Sequence, residues 1–283
     1  MTERIAFQGE PGANSDIAAR AAYPALEPLP CPSFEDAFAA VREGQARYAM
    51  IPVENSLAGR VADVHHLIPE SGLFIVGERF QPIRHQLLGV SGATLAGLRQ
   101  VRSHLQALGQ CRKLLRELGV VAVESADTAG AAREIAELRD PSVGALASSL
   151  AGEVHGLITL RADIADADHN TTRFLVFARE AENAPSSNGP CVTSFVFRVR
   201  NVPAALYKSL GGFATNGVNI TKLESYIEGG SFEAAMFFAE IEGHIDDRLV
   251  QLALDELRFF STSLTILGVY PADPFRRSDR RKL

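Results

Sequence analysis

Two threonines and an arginine, Thr171, Thr172 and Arg173, are the residues of this sequence best suited to chemistry. They directly precede a β-branched and aromatic run over residues 174–177, which predicts a buried strand. Polar groups at the mouth of a strand are held rigidly and can face a cleft. A hydroxyl there could donate a hydrogen bond, and a guanidinium could bind a carboxylate. The same residues at an ordinary sheet edge would serve structure alone, so both interpretations stay open.

Further polar residues stand where predicted strands end or predicted helices begin. Ligands of open α/β sheets bind beyond the carboxyl ends of the strands, so these positions are candidates for substrate contacts. They are Ser15, Glu54, Asn55, Ser56, Ser103, His104 and Ser149. The turn that contains Gly9 and Gly12 precedes a predicted helix near Ser15, whose N-terminal N–H groups could bind an anion.

The order of predicted elements divides the chain. Strands alternate with helices through residues 1–181, which predicts an α/β domain of two lobes with a mostly parallel sheet and helices on both faces. A polar, turn-rich segment at 182–190 predicts a linker. Strand, helix, strand, strand, helix and strand follow over 191–271, which is the order of a ferredoxin-like βαββαβ unit. Residues 272–283 form a short basic tail, interpreted as a solvated end.

Composition argues against several classes of function. The chain has 28 basic and 34 acidic residues, a net charge of −6, which argues against nucleic acid or an anionic membrane as the main partner. Cys31, Cys111 and Cys191 are too widely spaced for a metal cluster or a disulfide framework. His65 and His66 lack a third ligand at metal spacing, and we interpret them as surface histidines. With no signal-like or membrane-spanning run, we expect a cytoplasmic protein.

Four motifs in order carry a resemblance to a known family. They are Gly9-x-x-Gly12-x-x-Ser15, Pro52-Val-Glu-Asn-Ser56, Ser103-His104 with Gln106-Ala-Leu-Gly-Gln-Cys111, and Thr172-Arg-Phe174. Together they resemble prephenate dehydratase, and the C-terminal βαββαβ unit resembles the ACT regulatory domain of that family. The resemblance covers nearly the whole chain. It implies a two-lobed catalytic domain like the type II periplasmic binding proteins, and conversion of prephenate to phenylpyruvate with no metal or organic cofactor.

Roles for individual residues also follow from the resemblance. It implies Thr172 as the donor to the departing hydroxyl, with His104 as the alternative acid. For Arg173 it implies a substrate carboxylate as ligand, against an equal alternative of a structural ion pair with Asp166 or Asp168. The implied substrate-binding residues are Ser15, Asn55, Ser56, Ser103, His104, Gln106, Ser149, Arg173 and Phe174.

The C-terminal resemblance implies feedback inhibition by phenylalanine and a homo-oligomer, dimer or tetramer, since ACT domains pair side by side. The implied ligand-binding residues are Ala205, Leu206, Asn219, Glu224 and Ser225. Tyr226 and Ile227 replace the Arg-Pro pair usual after this serine. Two alternatives remain open: an arogenate or dual cyclohexadienyl dehydratase, and an inactive amino-acid-sensing binding protein.

Overall fold

The computed structural model describes residues 3–186, 189–200, 202–227 and 234–280. The strands are β1 (Arg4–Gln8), β2 (Glu27–Cys31), β3 (Tyr48–Asn55), β4 (Gly59–Arg60), β5 (Phe74–Pro82), β6 (Gln86–Gly89), β7 (Gln100–Ser103), β8 (Val121–Glu124), β9 (Val143–Ala147), β10 (Ile158–Arg161), β11 (Thr171–Ala178), β12 (Cys191–Val199), β13 (Ile220–Ile227), β14 (Ala234–Glu242) and β15 (Ser261–Pro271). The helices are α1 (Asn14–Ala22), α2 (Phe34–Arg42), α3 (Ala62–Leu67), α4 (Leu105–Gln110), α5 (Arg112–Leu118), α6 (Thr128–Leu138), α7 (Ser149–His155), α8 (Ala205–Thr215), α9 (Arg248–Phe260) and α10 (Phe275–Arg280), with a 3-10 turn at Leu95–Gly97. The chain divides into two compact units, Met1–Val61 with Arg79–Phe174, and Ala62–Glu78 with Leu175–Leu283.

The first sheet has the strand order β2-β1-β3-β11-β5, and β4 pairs with β3. Strand β1 lies parallel to β2 and β3, and its Ile5, Ala6 and Phe7 are completely buried. Strand β2 contains Pro28 and Pro30 and was not predicted from the sequence. Proline cannot donate to a strand ladder and is confined to positions such as sheet edges, which is where β2 lies.

The second sheet has the order β10-β6-β9-β7-β8. Strand β7 is parallel to β8 and β9, whereas β6 is antiparallel to β9 and β10. The sheet is therefore mixed, and the prediction of a mostly parallel arrangement was wrong here. The chain enters β6 from β5 of the first sheet across residues 83–85, without a crossover helix to impose a parallel direction. Strand β10 was also unpredicted, because it is a short, mostly exposed edge strand.

Two predicted helices differ in detail from the structure. The sequence predicts an amphipathic helix to Leu118 after the polar corner at Ser103 and His104; the structure has two helices there, α4 and α5, separated at Cys111 (φ −124°, ψ 28°). The Cys111 side chain is fully buried with Leu108 and Leu114, so the break directs it into the core. His65 is not a surface residue: it is 4% exposed, because it lies on the buried side of α3 with Val64.

The C-terminal sheet is antiparallel with the order β13-β14-β12-β15. A core of phenylalanines from the strands and apolar residues from α8 and α9 fills one face; it includes Phe195, Phe197, Phe213, Phe237 and Leu257. The predicted βαββαβ order is thus observed. The sequence Glu228-Gly-Gly230 predicts a turn between the second and third strands of this unit, and it lies outside the described residues.

The predicted linker and the tail interpreted as a solvated end are both held in place by contacts. Ala184, in the predicted linker, donates from its N–H to Val269 and accepts at its carbonyl from His244. Arg276, in the predicted tail, makes two short hydrogen bonds to Glu78. The boundaries 1–181, 182–190, 191–271 and 272–283 stay predictions. Across the described parts of the chain, every helix is too short or too polar to cross a bilayer.

Candidate active site

Thr172 lies at the start of β11 and is 9% exposed. Asn55, the last residue of the neighbouring β3, donates from Nδ2 to the Thr172 hydroxyl oxygen at 2.9 Å. The Asn55 Oδ1 accepts from the backbone N–H groups of Leu57 and Ala58, at 3.0 and 2.9 Å, which sets the orientation of the amide. Because the Thr172 oxygen accepts from Asn55, its own proton remains available for a different acceptor.

Asn170 and Gln110 extend this arrangement, and neither is among the site residues predicted from the sequence. The Asn55 amide also donates to Asn170 Oδ1 at 2.7 Å, and Asn170 donates to Gln110 Oε1 at 2.8 Å. The Gln106 side chain is exposed at the first turn of α4, and its substrate contact stays a prediction, while Gln110 ends that helix and joins the network. The four-residue spacing along one helix face would have offered both glutamines as candidates.

Arg173 is nearly buried, with its side chain 6% exposed, and pairs with Glu54 at 3.3 Å. Its guanidinium carbon lies 5.9 Å from the centre of the Phe80 ring. The predicted partners were wrong: Asp166 instead accepts from the Lys113 backbone N–H. Glu54 and Arg173 meet because β3 and β11 are neighbours in the sheet. The Glu54 side chain is 38% exposed, so solvent or a ligand reaches this ion pair from one side.

Two of the predicted serines hold strands together. Ser56 donates to the His169 carbonyl at 2.7 Å and accepts from the Thr171 N–H at 3.0 Å, which fixes the start of β11. Ser103 is completely buried and donates to the Leu146 carbonyl at 2.6 Å. Ser103 therefore cannot reach a substrate in this conformation. Its hydroxyl secures the β7–β9 pairing, because a buried hydroxyl requires a partner.

The predicted anion site at the first helix is already occupied by the protein. The Gly12 N–H donates to the Asp16 carboxylate at 2.9 Å, and Asp16 is 1% exposed. This carboxylate supplies the negative charge that a helix N-terminus favours. Ser15 beside it is 8% exposed, so little of its side chain can meet a ligand.

The cap of α7 is Ser148, not Ser149, which is exposed. The Ser148 hydroxyl accepts from the Ala151 N–H and donates to the Gly12 carbonyl. A Cβ at Gly12 would lie 2.5 Å from the Ala151 Cα, and its φ is +89°, so only glycine fits this close approach. These contacts explain, on structural grounds, why residue 12 is a glycine.

His104 caps α4, with Nδ1 accepting from the Gln106 N–H at 3.3 Å. Within the described residues no hydrogen bond joins it to Thr172. Phe174 is 1% exposed and lies in the core, and its expected substrate contact stays a prediction.

The thiols are poor nucleophiles. Burial and the nearby Asp166 carboxylate raise the pKa of Cys111 to about 12. Burial likewise raises the pKa of Cys31 and Cys191. No group of three or more His, Cys, Asp or Glu side chains among the described residues is arranged to bind a metal.

The residues expected to bind phenylalanine lie in the C-terminal sheet and α8. Ala205 and Leu206 are half-buried against the phenylalanine core. Asn219 donates to Glu242 at 3.1 Å, and Glu224 pairs with Lys222 at 3.3 Å. Ser225 is exposed.

Comparison with known proteins gives a consistent assignment. The family Prephenate dehydratase matches residues 5–182. The chain is 52% identical over 273 residues to a bifunctional N-acyl-homoserine lactone acylase/prephenate dehydratase of Komagataeibacter europaeus, covering 96% of this chain and 97% of that protein. It is 39% identical to arogenate dehydratase 2 of Petunia hybrida, covering 95% and 72%. A crystal structure of prephenate dehydratase in complex with L-Phe from Arthrobacter aurescens matches with a TM-score of 0.86, 28% identity and coverage of 99% and 97%. The chain belongs to the prephenate dehydratase family.

Proposed function

We propose that this enzyme converts prephenate to phenylpyruvate. In that reaction the ring carboxylate leaves as CO2, its electron pair moves through the ring, and the C–O bond to the hydroxyl breaks. A proton donated to the departing oxygen completes a water molecule, and the ring becomes aromatic. The thermodynamic drive is already in the substrate, so the protein must supply a fixed donor, a cation and exclusion of water.

The orientation of Thr172 is the observation that carries this proposal. Its hydroxyl oxygen is held by Asn55, which directs the hydroxyl proton away from that amide. A threonine hydroxyl is too weak an acid to ionise, so it would act by hydrogen bonding or concerted transfer. Arg173, adjacent on β11, is the cation we assign to a substrate carboxylate; Glu54 would then share or yield the guanidinium. Purified protein mixed with prephenate should produce the ultraviolet absorbance of phenylpyruvate; absence of product would reject the assignment.

Arogenate is the alternative substrate, supported by the Petunia relative named for it. Arogenate carries an amino group where prephenate carries a keto group, and the elimination is otherwise the same. Measuring kcat/KM for both compounds on one preparation distinguishes the cases. A ratio in favour of prephenate supports the first assignment, a ratio in favour of arogenate supports the alternative, and comparable values indicate a dual enzyme.

A second activity is suggested by the bifunctional Komagataeibacter relative, because identity of 52% extends over almost both whole chains. The corresponding reaction hydrolyses the amide of an N-acyl-homoserine lactone. Release of homoserine lactone from such a compound, measured with and without prephenate, tests it. Inhibition by prephenate would place both activities in one site, and no release would exclude the second activity.

We further propose that residues 191–271 form an ACT regulatory domain that binds phenylalanine and inhibits the enzyme. The βαββαβ order and the L-Phe complex of the Arthrobacter relative support this proposal. Calorimetry with phenylalanine tests it directly, and Asn219→Ala should raise the inhibitory concentration while leaving uninhibited kcat unchanged. Reciprocity requires that the substrate weaken phenylalanine binding by the same factor.

The homo-oligomer remains part of this proposal, because two edge strands of the C-terminal sheet, β13 and β15, are available for pairing within the described chain. Sedimentation analysis of the purified protein distinguishes dimer, tetramer and monomer. A monomer that still binds phenylalanine would separate the regulatory proposal from the oligomeric one.

A further inference from the structure

His85 is a buried histidine to which the reaction proposed above gives no role. It is 4% exposed and lies in the three-residue connection between β5 and β6. Its Nε2 lies 2.9 Å from Gln110 Oε1, the same oxygen that accepts from Asn170. Burial lowers the pKa of His85, so the imidazole is neutral near pH 7.

The polarity of the hydrogen bonds specifies the tautomer. Gln110 Oε1 accepts from the Asn170 amide, and a second bond at that oxygen requires a donor. His85 must therefore carry its proton on Nε2. From the opposite end, the backbone N–H groups that bind Asn55 Oδ1 orient Asn55 and, through it, Asn170. The chain of amides is thus held at both ends.

His85 and Asn170 lie on adjacent connections of the chain. The Ile83 N–H donates to the Asn170 carbonyl at 2.9 Å, and the Ile164 N–H donates to the His85 carbonyl at 3.0 Å. The Oε1 atom of Gln110 contacts both connections, because it is hydrogen-bonded to His85 and to Asn170. Loss of the His85 donor would free Gln110 to rotate, and Asn170 and Asn55 would then be secured from one side only.

We propose that His85 is a positioning residue, which donates from Nε2 to Gln110 and so holds the Asn170 and Asn55 amides that orient the Thr172 hydroxyl. The inference rests on the proposed function, because it assigns His85 an effect on the same elimination. His85 itself contacts neither the substrate nor the reacting atoms in this role. If the Thr172 hydroxyl is displaced, stabilisation of the transition state is lost to a greater extent than substrate binding. The effect should therefore fall on kcat.

The test compares two substitutions at one position. His85→Met removes the donor at similar volume, and we expect kcat to fall ~10–100-fold with KM within about twofold of wild type. His85→Gln can place an amide donor near the former Nε2, and it should recover most of kcat. The matched control is His155→Met, because His155 lies in α7, outside the network, and should keep wild-type kcat. Equal losses in both His85 variants, or a change in KM alone, would overturn the proposal.

An activity-independent measurement completes the test. Nitrogen-15 NMR of the histidine side chains should show His85 as the neutral Nε2–H tautomer at pH 7, with its Nε2 shift altered in Gln110→Met. The Nδ1–H tautomer would overturn the inference. A wild-type protein that converts neither prephenate nor arogenate would instead reject the proposed function, and this role would fall with it.

Discussion

This protein contains two polar clusters that differ in charge: one consists of neutral groups and the other of ionised groups. The amide network, Asn55, Asn170, Gln110 and Thr172, is made of neutral groups. The ionic cluster of the C-terminal unit joins Arg276 to Glu78 at 2.6 and 2.8 Å and to Glu240 at 3.5 Å. The Glu78 and Glu240 side chains are 0% and 1% exposed.

The difference follows from the cost of burying charge. Neutral amides orient a hydroxyl with directional hydrogen bonds and a small desolvation penalty, which suits a site that must direct one proton. Buried carboxylates are costly unless a cation accompanies them, and Arg276 supplies one in this cluster. Its two hydrogen bonds to Glu78 fasten α10 to β5. Gly268 of β15 reinforces the attachment, since a Cβ there would lie only 1.8 Å from the Ile75 carbonyl oxygen.

Breaking the ionic cluster should have the largest effect on stability. Arg276→Met removes the guanidinium that binds the buried Glu78 carboxylate at 2.6 and 2.8 Å, and we expect a loss of about 3–5 kcal/mol in the free energy of unfolding. Urea titration measures it. The matched control is Arg258→Met, because the Arg258–Asp255 pair is as short, 2.7 Å, but both side chains are more than half exposed. Equal effects of the two substitutions would contradict the distinction between buried and exposed pairs.

Removing the hydroxyl from the amide network should act on catalysis instead. Thr172→Val keeps the shape of the side chain, and we expect kcat to fall ~10²–10³-fold with stability and KM nearly unchanged. The neighbouring Thr171→Val is the control, because only the Thr171 backbone takes part in the hydrogen bonds described. If Thr172→Val stays within a few-fold of wild type, His104 becomes the candidate donor.

Arg173 tests whether the charge beside the amide network is functional. Arg173→Lys keeps the charge and loses the planar fork, so KM should rise about 10-fold if the guanidinium binds a carboxylate. Steady-state kinetics and thermal melting separate the two interpretations. An unchanged KM with a lower melting temperature would show that the Glu54 pair is structural only.

The depressed pKa of His85 predicts a pH dependence of stability. The unfolded imidazole binds a proton below about pH 6.5, whereas the folded one resists it, so folding stability is complete above this pH and declines below it. The slope is at most about 1.4 kcal/mol per pH unit for one group. Urea titrations from pH 7.5 to 5.5 should show a shallower decline for His85→Gln than for wild type; parallel curves would contradict the assignment.

The smallest expected effect concerns the cysteines, which we expect to remain unmodified in the folded protein. All three are buried with a raised thiol pKa. Iodoacetamide at pH 8 should therefore leave the folded protein unlabelled and label three sites in urea. Rapid labelling of the native protein would show that one thiol becomes accessible.

The sequence by itself determined those features that depend on local order. The run at 174–177 predicted a strand, and β11 contains it with Thr172 and Arg173 at its start. Periodicity predicted the βαββαβ order, and the motifs placed Asn55 and Thr172 among the candidates. Such predictions succeed because periodicity and turn chemistry act within a few residues.

Only the tertiary structure decided which polar groups meet. Asn55 and Thr172 are 117 residues apart, and their hydrogen bond depends on the alignment of two strand ends. The same holds for the pairing of Glu54 with Arg173 and for the hydrogen bond between Asn170 and Gln110. The Asp16 carboxylate, four residues from Gly12, occupies the predicted anion site. Helix α10, in the predicted tail, brings Arg276 to Glu78. Hydrogen bonds form over about 3 Å, so they depend on packing that local sequence patterns do not encode.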